Sequence, residues 1–181
     1  MPSWAIASII TLIIIAVAGA CWLLLGRRRS EHLRKRFGPE YDRAIQETGN
    51  QRRAEAVLET REKRVEHLRI HPLAVKDRGH FAEAWRACQT RFVEDPNGAV
   101  AEADLLVAEV MKARGYPVSD FEQRVADISV DHPDVVENYR AAAGIAQLHR
   151  RGAATTENLR QAMVYYRKLF DELFETVEMS G

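Results

Sequence analysis

Few residues in this chain combine the types and spacing that chemistry needs. His67 and His71 stand i,i+4 near the end of a helical pattern, which would put two imidazoles on one helix face as a metal site requires. Zinc takes three or four ligands, and no Cys, Asp or Glu constellation is spaced to complete that pair. Cys88 and His80 could be offered as a nucleophile and its base. They lie eight residues apart on one helical segment, about 12 Å along its axis and too far for a hydrogen bond. Cys88 also falls on an aromatic stripe, where a thiol packs rather than reacts. Glu94, Asp95, Asp131 and Asp134 sit where carboxylates cap helices or meet solvent. There is no glycine-rich phosphate loop, nucleophile elbow or paired-cysteine motif. The sequence therefore predicts no catalytic residue, no cofactor and no metal, and the chain is not expected to be an enzyme. A helical enzyme whose site assembles only in three dimensions is the alternative.

The elements that would position any site begin with an apolar run. No charged side chain occurs from Met1 to Gly26, and the 22 residues from Trp4 to Leu25 are dominated by Ile, Leu, Ala and Val. As a helix this run is about 33 Å long, enough to cross a hydrocarbon core of ~30 Å. A cleaved signal peptide would need a basic leading region and a shorter apolar stretch. The leading "MPS" has no basic residue, and "WLLL" continues the run beyond the small residues Ala18 to Cys21. The expectation is a single transmembrane anchor over 1–26.

Arg27, Arg28, Arg29, Arg34, Lys35 and Arg36 follow at once, offset only by Glu31, so residues 27–36 carry +5. Basic flanks stay cytoplasmic, which predicts an outward N-terminus and a cytoplasmic C-terminal domain. These six residues, in a juxtamembrane segment over 27–37, are expected to contact anionic lipid headgroups. Nucleic acid is not an expected partner, because the segment has one aromatic, Phe37, and is pinned where lipid phosphates are nearest. The net charge of zero conceals the asymmetry, since residues 72–181 carry −5. Two cysteines, one inside the apolar run, offer no disulfide framework.

Beyond the collar the periodicity is helical throughout, giving an all-α fold. Residues 38–72 read as a helical stalk with Ala54, Leu58, Val65 and Leu68 on a thin seam, ending at His71-Pro72. Self-association through the seam, giving a homo-oligomer, is possible but the heptads are too few for a strict coiled coil. Residues 73–175 divide into five helical segments forming a compact bundle, and 176–181 form a flexible tail. Phe81, Trp85, Cys88 and Phe92 stripe the first segment; Val100, Ala103, Val107, Val110 and Met111 the second. Ser119 and Glu122 form a capping box opening the third, Pro133 starts the fourth, and Thr155 caps the fifth. That last helix places Leu159, Met163, Tyr166, Phe170 and Leu173 on one face.

Two resemblances carry further expectations. The stretch 144–170, through Gly152, Ala162, Tyr165, Tyr166 and Lys168, resembles one Sel1-like helical hairpin, without a second copy at a fixed period. Over its full length, through "RFGPEYDRA", "TREKRVEHL", "GYPVSDFEQR" and "SVDHPDVVENYR", the chain resembles a group of bacterial single-pass membrane-anchored proteins with a helical soluble domain and no assigned activity. That resemblance implies a bacterial inner-membrane location and lends no catalytic residue. With an anchor, a stalk and an acidic bundle, the expected role is a cytoplasm-facing interaction or scaffold module with a protein partner. The partner surface is expected at Tyr116, Phe121, Arg124 and His132, with closure of the bundle's end by the same residues as the equal alternative. A structural envelope protein oligomerising through its stalk is a further alternative.

Overall fold

The computed structural model describes residues 3–117 and 120–175; in the N-terminal helix, the side chains at 3–11, 13–16, 18, 22 and 23 are outside what is described. Eight helices and no strand occur among the described residues: α1 (Ser3–Phe37), α2 (Pro39–Thr48), α3 (Gln51–Glu66), α4 (Val75–Arg91), α5 (Pro96–Ala113), α6 (Phe121–Asp131), α7 (Pro133–Arg150) and α8 (Thr156–Glu175). The all-α expectation holds. Most of the expected membrane run falls on the undescribed side chains, and among the described residues no helix is long and apolar enough to cross a membrane. The expected tail over 176–181 also lies outside the described residues.

The chain divides into two compact units, residues 1–58 and 59–181, and the division falls inside α3. In the first unit, local chemistry sets two helix ends. Pro39 occupies the first turn of α2, where its missing N–H costs nothing. Gly49 ends α2 at φ +64°, donating its N–H to Ile45 O at 2.8 Å. Asn50 Oδ1 then accepts from Arg53 N at 3.2 Å and opens α3. Leu33 and Phe37 of α1, Tyr41 and Ala44 of α2, and Ala54 and Leu58 of α3 are the buried apolar residues of this unit.

The second unit contains the five expected bundle helices, α4 to α8, with the end of α3. Helix α8 packs on α7 and α5, α4 on α5, and α6 on α7. Phe81, Trp85 and Cys88, the five named residues of α5 and the five of α8 are all buried. Trp85 stacks on Phe170 with ring centroids 4.8 Å apart, and Phe121 meets the edge of Tyr139 at 4.9 Å. Cys88 sits against α5 with its Sγ 3.1 Å from Ala99 O.

Two helix boundaries differ from expectation and one agrees. Helix α3 stops at Glu66, short of the expected end at His71-Pro72, and the following chain docks on the end of α5, where His71 N donates to Arg114 O at 2.9 Å. The capping box at Ser119 lies outside the described residues, and the cap of α6 is Asp120, whose side chain accepts from Gln123 N at 2.9 Å. Thr155 does cap α8: its hydroxyl oxygen accepts from Asn158 N at 3.2 Å, while Asn158 Oδ1 accepts from Thr155 N at 2.9 Å.

Candidate functional site

In the first unit, α1 and the start of α3 line an open cleft of about 1250 Å³. Its lining includes Leu25, Arg27, Arg29, Ser30, Glu31, Gln51, Arg52 and Glu55. At its floor lies a polar knot built from three helices. Glu55 Oε1 accepts from Ser30 Oγ at 2.6 Å, from Tyr41 Oη at 2.8 Å and from Gln51 Nε2 at 2.9 Å. Glu55 is 7% exposed. Burial works to raise the pKa of its carboxyl, yet the three donors and the charge of Arg29 outweigh it and hold the pKa below the ordinary value. The same burial, with the Glu55 carboxylate as acceptor, pushes the Tyr41 phenol up. A carboxylate satisfied by three donors is a poor proton acceptor. The knot ties α1, α2 and α3 together through one carboxylate oxygen.

The six collar residues are all exposed along the last turns of α1. Arg27 and Arg29 line the cleft and are joined there by Arg52 of α3, which sequence reading did not group with them. Arg34 turns elsewhere, with Nη2 3.3 Å from Asp42 Oδ1 and its guanidinium 5.4 Å from the centre of the Tyr41 ring.

In the second unit, the four residues expected to form a partner surface instead close the end of the bundle. Tyr116 and His132 are 2% and 3% exposed. Phe121 packs half-buried against the core, and Arg124 is likewise half-buried. The turn-rich sequence around them suggested exposure, but their rings and charges point into helix junctions. Tyr116 Oη donates to Asp131 Oδ2 at 3.2 Å. His132 bridges Glu172 Oε1, 3.0 Å from Nδ1, and Arg114 Nη1, 3.3 Å from Nε2. A guanidinium can only donate, so Nε2 is the accepting nitrogen and Nδ1 carries the proton given to Glu172. Burial lowers the His132 pKa, and Arg114 adds to the effect while Glu172 opposes it. Arg114 Nη1 also donates to Leu173 O at 3.1 Å, fastening α5 to the end of α8.

Other polar groups of this unit are spent in the same way. Arg64 Nε and Gln123 Nε2 both donate to the buried Asp127 Oδ1, at 2.9 and 2.7 Å, tying the last turns of α3 to α6. Tyr166 Oη donates to Asp104 Oδ1 at 3.2 Å.

The remaining sequence candidates do not converge. Helix α3 ends before His67, so His67 and His71 share no helical face. Among the described residues, no group of three or more His, Cys, Asp or Glu is placed to hold a metal ion. Burial, reinforced by Glu102, pushes the Cys88 thiol up to about 11, which leaves almost no thiolate at neutral pH.

No protein-family model, curated protein or solved structure matches this chain.

Proposed function

We propose that the chain is a membrane-anchored scaffold: residues 4–25 span a bacterial inner membrane, the collar rests on anionic headgroups, and the helical bundle recruits a protein partner on the cytoplasmic side. One observation carries the interaction reading over a catalytic one. The buried Asp127, Arg114 and His132 are bonded across helix pairs, Asp127 to Arg64 and His132 to Arg114 and Glu172, and so fasten the bundle together. Anchoring rests on the apolar length of 4–25, and the orientation on the six cations that follow it. Oligomerisation through the stalk is disfavoured, because Ala54, Leu58 and Val65 of the seam are already buried by the protein's own residues.

Recruitment is tested by in-cell crosslinking and pull-down of the full-length protein beside a version lacking residues 1–26. The expected result is a defined protein captured by the anchored chain. Identical empty captures from both would overturn the scaffold reading.

A further inference from the structure

The cleft divides the collar into two classes of cation, and that division has a chemical meaning. Arg27 and Arg29 reach it from α1 and Arg52 from α3, whereas Arg28, Arg34, Lys35 and Arg36 do not line it. Its lip is Leu25 and Gly26, the last residues of the apolar run, and Leu25 is exposed. If that run lies in the bilayer, as proposed above, the mouth of the cleft sits at headgroup depth. We propose that this cleft is a selective binding site for the phosphodiester of an anionic glycerophospholipid.

Three arginines and two glutamates are among the lining residues, so the site has a positive excess that one phosphodiester neutralises. Glu55 does not compete for the cations on equal terms, because Ser30, Tyr41 and Gln51 already donate to it. Glu31 remains at the wall, where a carboxylate can accept from the hydroxyls of a polyol headgroup. Guanidinium is the group best matched to phosphate oxygens, offering paired donors in a fixed plane. Arg29 and Arg52 already make contacts within the chain, which orders them, and each guanidinium has five donors to divide between partners. The volume, about 1250 Å³, exceeds a common small-molecule pocket of roughly 300–1,000 Å³ and admits a headgroup together with its glycerol backbone. The knot beneath fixes Ser30 and Gln51, so the floor is rigid before lipid arrives. This arrangement differs from diffuse attraction, in which each cation near the surface contributes alike whatever its position.

The test is native mass spectrometry of the full chain released from nanodiscs containing equal parts phosphatidylglycerol, phosphatidylethanolamine and phosphatidylcholine. The chain is expected to retain one phosphatidylglycerol. Arg27→Gln/Arg29→Gln/Arg52→Gln should lower that retention about tenfold or more, whereas Arg28→Gln/Lys35→Gln/Arg36→Gln, of equal charge loss, should leave it nearly intact. Equal losses in the two triple variants, or retention of all three lipids alike, would overturn the selective site. Arg27→Lys/Arg29→Lys/Arg52→Lys, with an unchanged circular dichroism spectrum, should retain lipid to an intermediate degree, which separates loss of the site from loss of the fold. Displacement of the lipid by millimolar inorganic phosphate would show a free-phosphate site and overturn the lipid assignment. Alkaline extraction of membranes tests the anchor separately: a chain released by alkali defeats the anchor reading, while an embedded chain without retained lipid defeats only the site.

Discussion

Single residues in this molecule are read best by what a small change would meet. Gly115 takes φ +94°, and a Cβ built there would lie 2.3 Å from Arg69 O, a backbone atom that cannot swing aside. Gly144 sits within α7 with nothing within 4 Å of an added Cβ. The two substitutions should therefore have opposite signs. Gly115→Ala should destabilise the bundle by at least ~1–2 kcal/mol from its backbone conformation alone, with the clash adding to it. Gly144→Ala should stabilise it by about 0.5–1 kcal/mol, because a mid-helix glycine loses more backbone entropy than alanine. Denaturant unfolding followed by circular dichroism measures both; a neutral or stabilising Gly115→Ala would overturn the close approach of Gly115 to the Arg69–Ile70 backbone, and a destabilising Gly144→Ala would overturn the open space at Gly144. The role of Gly115 as a helix stop is visible from "RGYP", but its closeness to Arg69 is not, since that contact joins residues 46 apart. The Glu55 knot was likewise invisible. Ser30, Tyr41, Gln51 and Glu55 share no motif and meet only because three helices bring them together.

Helices were the most legible level. Apolar stripes identified the inward faces of α4, α5 and α8, because a 3.6-residue period leaves a direct trace in sequence. Their ends were less so, for two separate reasons. In "SDFEQ" both Ser119 and Asp120 are good caps, and each has a Glu or Gln three residues on, so local chemistry admits two registers. The observed register uses Asp120, and it leaves the Gln123 side chain to donate to Asp127 at 2.7 Å. At the end of α3, the chain goes on to dock on Arg114, a tertiary contact with no local signal. Turn richness around Tyr116 and His132 similarly suggested surface where helix junctions bury both residues. The cap is testable: Asp120→Ala should cost the bundle about 1 kcal/mol, within the 0.5–2 kcal/mol range of N-cap losses, and Asp120→Asn should cost much less. Urea midpoints of the three proteins provide the measurement, and an Asp120→Ala midpoint equal to the parent would move the cap elsewhere.

The molecule as a whole has zero formal charge but separates its charges along the chain, with +5 over 27–36 and −5 over 72–181. Each unit also holds a buried titratable group, and the two groups shift in ways that separate the acid responses of the units. His132 has its pKa lowered by burial below the ordinary 6.5, among Arg114, Glu172 and Asp131. As pH falls below about 6.5, an unfolded chain takes up that proton before the folded one does, so the 59–181 unit loses stability until the folded histidine also protonates. Glu55 has its pKa lowered below 4.5, so the stability it gives the 1–58 unit is present above that pH and is lost as pH falls through the depressed value. The expected outcome is two acid windows. Pulsed hydrogen exchange at fixed labelling pH, after equilibration in mild denaturant between pH 7.5 and 3.5, resolves them peptide by peptide. Peptides from α5 to α8 should begin to lose protection below pH 6.5, and those from α2 and the start of α3 only below pH 4.5. His132→Gln should flatten the first window and leave the second in place. Loss of protection in both units at one common pH, or a first window unchanged in His132→Gln, would remove His132 as the source of the bundle's acid sensitivity.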